Sequence, residues 1–321
     1  MHDVYQVLHD FQTMNLVDRT LGDHGIFIGR PRSKVTTASL NALVNLANPQ
    51  SNAQPGAAPN GADYVDLGNT NLHSVKFSGA KTLPPIPLEW TLVNDDPDRA
   101  GNSVLFSGNT SNTDAAMVAP ISVPAADPTL RFLAKYGAEA GFDYGYVGIS
   151  TDGGKSYTII PGDKTVDAPL GPGLNGTTTG FEPHSYDLSA YAGQNVLLSI
   201  RYVSDGGVNE GGLLVDDITV GATTVSDGSS LATFKSPTEI SPITVNNFNV
   251  RFVGIDAAHH LALQIEVDGD FDFSLNFLQR ALLNAFPQVV AIVAYDEPTE
   301  QVQQYAPYSL TVNGVVQPGG A

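Results

Sequence analysis

The sequence contains no cysteine. Disulfides, thiolate metal sites and a Cys nucleophile are therefore excluded, although the absence does not fix the compartment. Basic residues are scarce: 15 Lys and Arg stand against 33 Asp and Glu, a net charge of −18. Nucleic-acid phosphates and anionic lipid would have to bind against that field, so neither is an expected partner. Long apolar runs are missing too, and none approaches the roughly 18 residues of a membrane span. The opening Met-His-Asp-Val-Tyr-Gln has neither the basic flank nor the apolar core of a signal peptide. An exported protein of this kind would carry its export signal outside this sequence.

Several catalytic signatures are also absent. There is no His-Glu-x-x-His zinc motif, and no two of the seven histidines are spaced i, i+4. His259 and His260 are adjacent, a poor chelate on a strand because neighbouring side chains point to opposite faces. They read as solvated or turn histidines. No Gly-x-Ser-x-Gly elbow and no glycine-rich phosphate loop occurs. The chain therefore offers no local signature of bond-breaking chemistry.

What is present is β-type. At 321 residues the chain is long enough for about two domains. Residues 1–50 read as a short helix–strand–helix, the trailing edge of an upstream α/β domain. Val4, Val7, Leu8 and Phe11 repeat at helical spacing behind Asp3, Gly25–Gly29 frames one buried strand, and Leu40, Leu43, Val44 and Ala47 repeat the helical pattern. Residues 51–62 have linker composition. From 63 to 222, short alternating runs recur every 8 to 12 residues or so between Gly, Asp and Pro turns, as in a jelly-roll β-sandwich. Residues 223–321 read as a smaller β-rich domain. Its one helix is expected at Leu275–Phe286, with Leu275, Leu278, Leu282 and Phe286 along one side. The expected fold is thus mainly β: a jelly roll followed by a small β-rich domain, preceded by an α/β remnant.

Acidic residues mark both ends of the sandwich. Asn94-Asp95-Asp96-Pro97-Asp98 follows the strand carrying Trp90, and Asp216-Asp217 sits inside the last strand, Leu-Leu-Val-Asp-Asp-Ile-Thr-Val. A carboxylate on the inner face needs a partner, and one of the Asp216-Asp217 pair must point inward if Val215 and Ile218 do not share a face. Asp95, Asp96, Asp98, Asp216 and Asp217 are candidate Ca2+ ligands, since hard cations take converging side-chain and backbone oxygens. The alternative is a solvated turn plus an inner aspartate accepting backbone N–H bonds. Asp268, Asp270 and Asp272 would line one face of a strand; they do not form an EF-hand, because Phe273 and Gln279 replace the required glycine and glutamate. Trp90, Tyr136, Tyr144 and Tyr146 could form a sugar-stacking platform or could be core aromatics.

Four segments, Ser-Thr-Asp-Gly-Gly-Lys-Ser-Tyr (150–157), Asp-Leu-Ser-Ala-Tyr-Ala-Gly-Gln (187–194), Ile-Arg-Tyr-Val-Ser-Asp-Gly (200–206) and Gly-Leu-Leu-Val-Asp-Asp-Ile (212–218), carry a resemblance. Together they resemble the region downstream of the catalytic domain in immune inhibitor A-type secreted metallopeptidases of family M6, including its MAM-like jelly roll. The tail, Ala-Tyr-Asp-Glu-Pro-Thr-Glu (294–300) and Tyr-Ala-Pro-Tyr-Ser-Leu-Thr-Val-Asn-Gly (305–314), is similar to the C-terminal β domain of some of those proteins. The resemblance implies a secreted, extracellular bacterial protein and a non-catalytic accessory region. It further implies contact with its own catalytic domain, a protein substrate or a cell-surface polymer. Family members bind catalytic zinc and often calcium, but their zinc motif has no counterpart here. The competing expectation is a free-standing adhesion or carbohydrate-binding module.

Overall fold

A computed structural model describes residues 4–21, 46, 55–68, 71–94 and 97–320. The strand expected at 25–29 and, apart from Leu46, the helix expected from 40 to 47 lie outside the described residues. In chain order, helix α1 (Val4–Leu21) is followed by strands β1 (Ala62–Gly68), β2 (Val75–Gly79), β3 (Thr91–Val93), β4 (Val104–Phe106), β5 (Asp114–Ser122), β6 (Thr129–Ala138), β7 (Tyr144–Ser150) and β8 (Thr158–Ile159). Next come β9 (Gly176–Thr177), β10 (Glu182–Asp187), β11 (Asn195–Val203), β12 (Gly212–Val220), β13 (Thr223–Ser226) and the one-turn helix α2 (Pro237–Ile240). Then follow β14 (Asn247–Asp256), β15 (Leu261–Asp268), β16 (Asp272–Ser274), helix α3 (Phe277–Leu283), β17 (Gln288–Asp296), β18 (Tyr308–Val312) and β19 (Val315–Val316). The mainly β class expected from the spacing of short alternating runs is what the chain adopts.

The chain divides into two compact units, Pro85–Pro242 and a second built from Met1–Pro84 together with Ile243–Ala321. The Pro85–Pro242 unit is an antiparallel sandwich. One sheet runs β10-β6-β12-β4-β3, with β13 beside β12 and β9 beside β6; the other runs β5-β11-β7-β8. Alternation sets the inner face: Leu130, Phe132 and Ala134 of β6 and Leu198 and Ile200 of β11 all enter one core. Val147 and Ile149 of β7 point into that core, in alternation with Gly148 and Ser150. Trp90 anchors the entry of the chain into this unit; it is 2 % exposed and its Nε1 donates to the Ala115 carbonyl at 3.2 Å.

The other unit is also layered. Its first sheet runs β1-β17-β14-β15 and its second β16-β2-β18-β19. Between them lies an aromatic core in which Phe77 stacks on Phe273 and Tyr308 and meets Phe248 edge-on. Strands β14 and β17 are buried along nearly their whole length because both faces are covered. Helix α1 provides the second cover, with Leu16, Val17 and Leu21 packing on Tyr64, Val253 and Ile292.

Four features differ from expectation, the first of them because of partner choice. The runs at Tyr64–Leu67 and Ser74–Phe77, read as the start of the jelly roll, instead pair with C-terminal strands: Tyr64 lies opposite Ile292, and Phe77 opposite Leu310 and Phe273. Alternation specifies a strand's faces but not its neighbour. The Pro-rich stretch before β1 is tied down from Gly56, whose amide donates to Gly319 O at 2.9 Å, and Ala57 is fully buried. Finally, α1 does not bury the face its apolar spacing suggested. Val4, Val7 and Phe11 are exposed, whereas His9, Gln12 and Thr13 are buried.

Arg251 explains that inversion. It stands on β14, fully buried, and donates to the His9 carbonyl, to Gln12 Oε1 and, at 3.0 Å, to Thr13 Oγ1. Tyr64 donates to the Gln12 carbonyl at 3.0 Å, and His9 Nε2 lies 2.8 Å from Asp296 Oδ1. A buried guanidinium needs acceptors, and a polar helix face supplies them to both of its terminal nitrogens. Burial lowers its pKa to about 10, so it remains charged at neutral pH. The expected helix at Leu275–Phe286 forms as α3, but Phe277, Leu278 and Leu282 are exposed while Leu275 and Leu283 are buried.

Candidate functional site

The β3–β4 connection carries the acidic turn, and β4 pairs with β12 through Leu105 opposite Val215. This brings Asn102 and Ser103 alongside Asp216. Asp95 and Asp96 lie outside the described residues. Strand β12 changes register between Asp216 and Thr219, and Asp217 takes a left-handed φ of 50°. The extra residue lets Val215 and Ile218 share the core face; Asp216, opposite Leu133, lies on the outer face, where Asn102, Ser103 and Gly228 bury it, and Asp217 is exposed.

Asp216 is fully buried. Its Oδ2 accepts from Asn102 Nδ2 at 2.7 Å and its Oδ1 from the Asp217 amide at 2.8 Å. The neighbouring Ser103 donates through Oγ to Asn94 Oδ1 at 2.8 Å, so the first residue of the acidic turn is fastened beside this carboxylate. Gly228 faces the same place with φ +76°. A Cβ there would lie 2.3 Å from Asp216 Oδ1 and 2.6 Å from the Ser103 carbonyl oxygen. A carboxylate and a backbone carbonyl thus line a cradle only glycine can border, with the amides of Asn94 and Asn102 close by. This oxygen-rich set suits a hard cation. The other two described candidates do not join it: Asp98 pairs with Lys135 on β6, and Asp217 faces solvent.

A second carboxylate group was not visible as a motif. Glu139, Asp143 and Asp205 bring carboxylate oxygens within 4.8 Å of one another. Asp143 is fully buried and accepts from Tyr202 Oη at 3.1 Å and from the Asp205 amide at 3.0 Å. Burial, then the Asp143 charge, pushes the Tyr202 phenol well above its ordinary pKa. Asn175 ties the backbone of the group together through the Glu139 and Asp143 carbonyls. The only sequence signal was a carboxylate on either side of a turn at 139–143 and another opening the turn at 205, a pattern common to loops.

The outer face of the β5-β11-β7-β8 sheet holds a cleft of about 370 Å3. Arg201 lies directly opposite Ala116, which puts both side chains on this face, and Ser199 is two residues along β11. Small side chains at Ala116 and Ser199 give the cleft its depth. Tyr157 and Ile159 form one wall; Ile86, Pro87 and Pro237 form another. That second wall is latched, because the Ile86 amide donates to Thr238 Oγ1 at 2.8 Å and Ser236 Oγ donates to the Ile86 carbonyl at 2.5 Å. Asp114 accepts from Arg201 Nε and Nη2 at 2.5 and 2.6 Å, a two-point ion pair that raises the Arg201 pKa.

The aromatic platform considered for sugar stacking is not formed. Trp90, Tyr136, Tyr144 and Tyr146 are 2 %, 8 %, 7 % and 2 % exposed, leaving no open ring face. The histidines divide. His259 and His260 sit in the turn after β14, where His259 Nδ1 meets Asp256 Oδ2 at 2.7 Å. His184, by contrast, is buried on β10 and stacked on Phe132. Burial and then Lys164 lower its pKa, outweighing the pull of Glu182, whose Oε1 lies 3.5 Å from Nε2. The unfolded chain therefore takes up this proton first as pH falls through about 6.5. Stability contributed by neutral His184 is present above that pH and is lost below it. His184→Phe is expected to flatten the fall in urea midpoint between pH 7.5 and 5.5; an unchanged slope would contradict this assignment.

A family model described as the immune inhibitor A-like MAM domain matches residues 84–248. The chain belongs to this family. The matched MAM span coincides with the compact unit Pro85–Pro242 and ends within β14. The pre-pro-metalloprotease PrtV of Vibrio cholerae serotype O1, in strains M66-2 and ATCC 39315, is 32 % identical over 188 residues, covering 56 % of this chain and 19 % of PrtV. Bacillopeptidase F of Bacillus subtilis strain 168 is 28 % identical over 141 residues, 41 % of this chain and 9 % of its own length. The chain thus spans about a fifth or less of the length of these relatives. Among the described residues no helix is long and apolar enough to cross a membrane.

Proposed function

We propose that this chain is a non-catalytic accessory region of a secreted immune inhibitor A-type metallopeptidase, and that its MAM unit recognises polypeptide. The observation that carries this reading is the coincidence of the family match with a compact sandwich whose outer face holds a pre-latched, largely apolar cleft. Such a cleft suits side-chain capture, and burial of the candidate stacking aromatics weakens the carbohydrate alternative. The test is parallel binding of the purified chain to immobilised casein and to a glycan array. Saturable casein binding with silent glycans is the expected result; the reverse pattern would replace the reading with a carbohydrate-binding module.

Calcium is the second part of the proposal. Asp216 would supply the charged ligand and the Ser103 carbonyl a second oxygen, with Asn94 and Asn102 able to turn amide oxygens toward the ion. Bound calcium would fix the β3–β4 connection against β12 and so stiffen this edge of the sandwich. Support comes from the full burial of Asp216 and from the Ser103 carbonyl oxygen that closes with it on Gly228.

A further inference from the structure

We propose that the cleft on the β5-β11-β7-β8 face takes one apolar side chain of a polypeptide that carries a basic residue next to it. This rests on the polypeptide-recognition reading above and names its site and its substrate class. The interior is set by Ala116, Ile159, Pro87 and the Tyr157 ring, which offer dispersion contacts and shed water when filled. The charged rim is not balanced. Arg201 is already held at two points by Asp114, so it brings no unmatched positive charge to a ligand. Glu89, also on the lining, is exposed and makes no hydrogen bond or ion pair among the described residues. Its carboxylate is available to a cation docking beside the apolar side chain. A rim charge of this kind acts chiefly on encounter rate and salt dependence, while the apolar anchor sets residence time.

The wall that closes the cleft supports a built site. Ile86 is fastened through both its amide and its carbonyl to Thr238 and Ser236. Ser236 in turn caps α2 reciprocally with Glu239. A wall fixed before binding loses little conformational freedom on capture, which is what makes a small cleft useful for recognition.

The test uses fluorescein-labelled decapeptides in a Gly/Ser frame that differ only in a central pair: Leu-Arg, Leu-Glu or Ser-Arg. Anisotropy titration against the whole chain is expected to rank Leu-Arg first, with the other two weaker by about tenfold or more. Ala116→Phe fills the floor and is expected to abolish Leu-Arg binding; Glu89→Lys is expected to weaken it and to remove its salt dependence. Unchanged melting curves and circular dichroism show that each variant is folded. Equal affinity for Leu-Glu, no peptide binding at all, or full binding by folded Ala116→Phe would overturn the proposal. So would a concentration-dependent dimer that Ala116→Phe dissolves, since the occupant would then be a second copy of the chain. Casein binding that survives Ala116→Phe would sink this site while leaving the recognition reading intact; loss of casein binding by the wild-type chain would sink both.

Discussion

Chelation of calcium is expected to lower the melting temperature of the transition belonging to the Pro85–Pro242 unit by roughly 5–10 °C, and added calcium is expected to restore it. At a free concentration of about 100 times the dissociation constant, binding to the native state alone adds about 2.7 kcal/mol. For a unit of this size each kcal/mol moves the midpoint by roughly 2–4 °C. Asp216→Asn keeps the shape of the side chain and much of its hydrogen bonding but removes the charge a cation requires. The variant should therefore melt near the temperature of the chelated wild type and respond to neither reagent. Asp98→Asn should leave the response intact, because Asp98 is engaged by Lys135 on β6. Superimposable wild-type melts with and without chelator would remove the metal from the account. A full response in Asp216→Asn would move it elsewhere, with Glu139, Asp143 and Asp205 the next candidates.

The second large effect belongs to Arg251. Arg251→Ala should destabilise its unit by about 3–5 kcal/mol, since it leaves a void and strands buried acceptors that no water reaches. Those acceptors are the His9 carbonyl, Gln12 Oε1 and Thr13 Oγ1. The loss should be read both as a lower denaturant midpoint and as faster amide exchange across Val4–Leu21, because the guanidinium is what draws the polar face of α1 onto the sheet. Arg251→Lys keeps the charge but reaches fewer acceptors, and an intermediate loss is expected. A loss below about 1 kcal/mol in the alanine variant, or helix amides that exchange as in the wild type, would mean that α1 is held by Leu16, Val17 and Leu21 alone.

The sequence exposed the sandwich well wherever one face of a strand met the core. The recurring short runs located the strands, β6 and β11 among them, and Val147 and Ile149 against Gly148 and Ser150 marked the two faces of β7. It made an inward Asp216 or Asp217 conditional on Val215 and Ile218 lying on different faces; both enter the core, because of a bulge that depends on cross-strand register, which a single strand does not encode. Strand partnership was hidden for the same reason. Nothing in Tyr64–Leu67 or Ser74–Phe77 distinguishes a jelly-roll edge from a strand that pairs with chain some 230 residues away. The α1 spacing misled because the deciding group, Arg251, is remote in sequence and reverses which helix face is worth burying. The cleft was equally silent: Ile86, Ala116, Ser199 and Pro237 are unremarkable singly and become a site only when four segments converge. The aromatic residues were legible as large buried surface or as a binding platform, and only burial separates the two.

The central claim is that this chain recognises polypeptide without cleaving it. Its most direct test incubates the purified chain with casein and follows complex formation and casein fragmentation in the same sample. Saturable binding with intact casein is the predicted result. Fragmentation of casein that a single substitution within this chain abolishes would contradict the account, and would place catalysis inside the region read here as accessory.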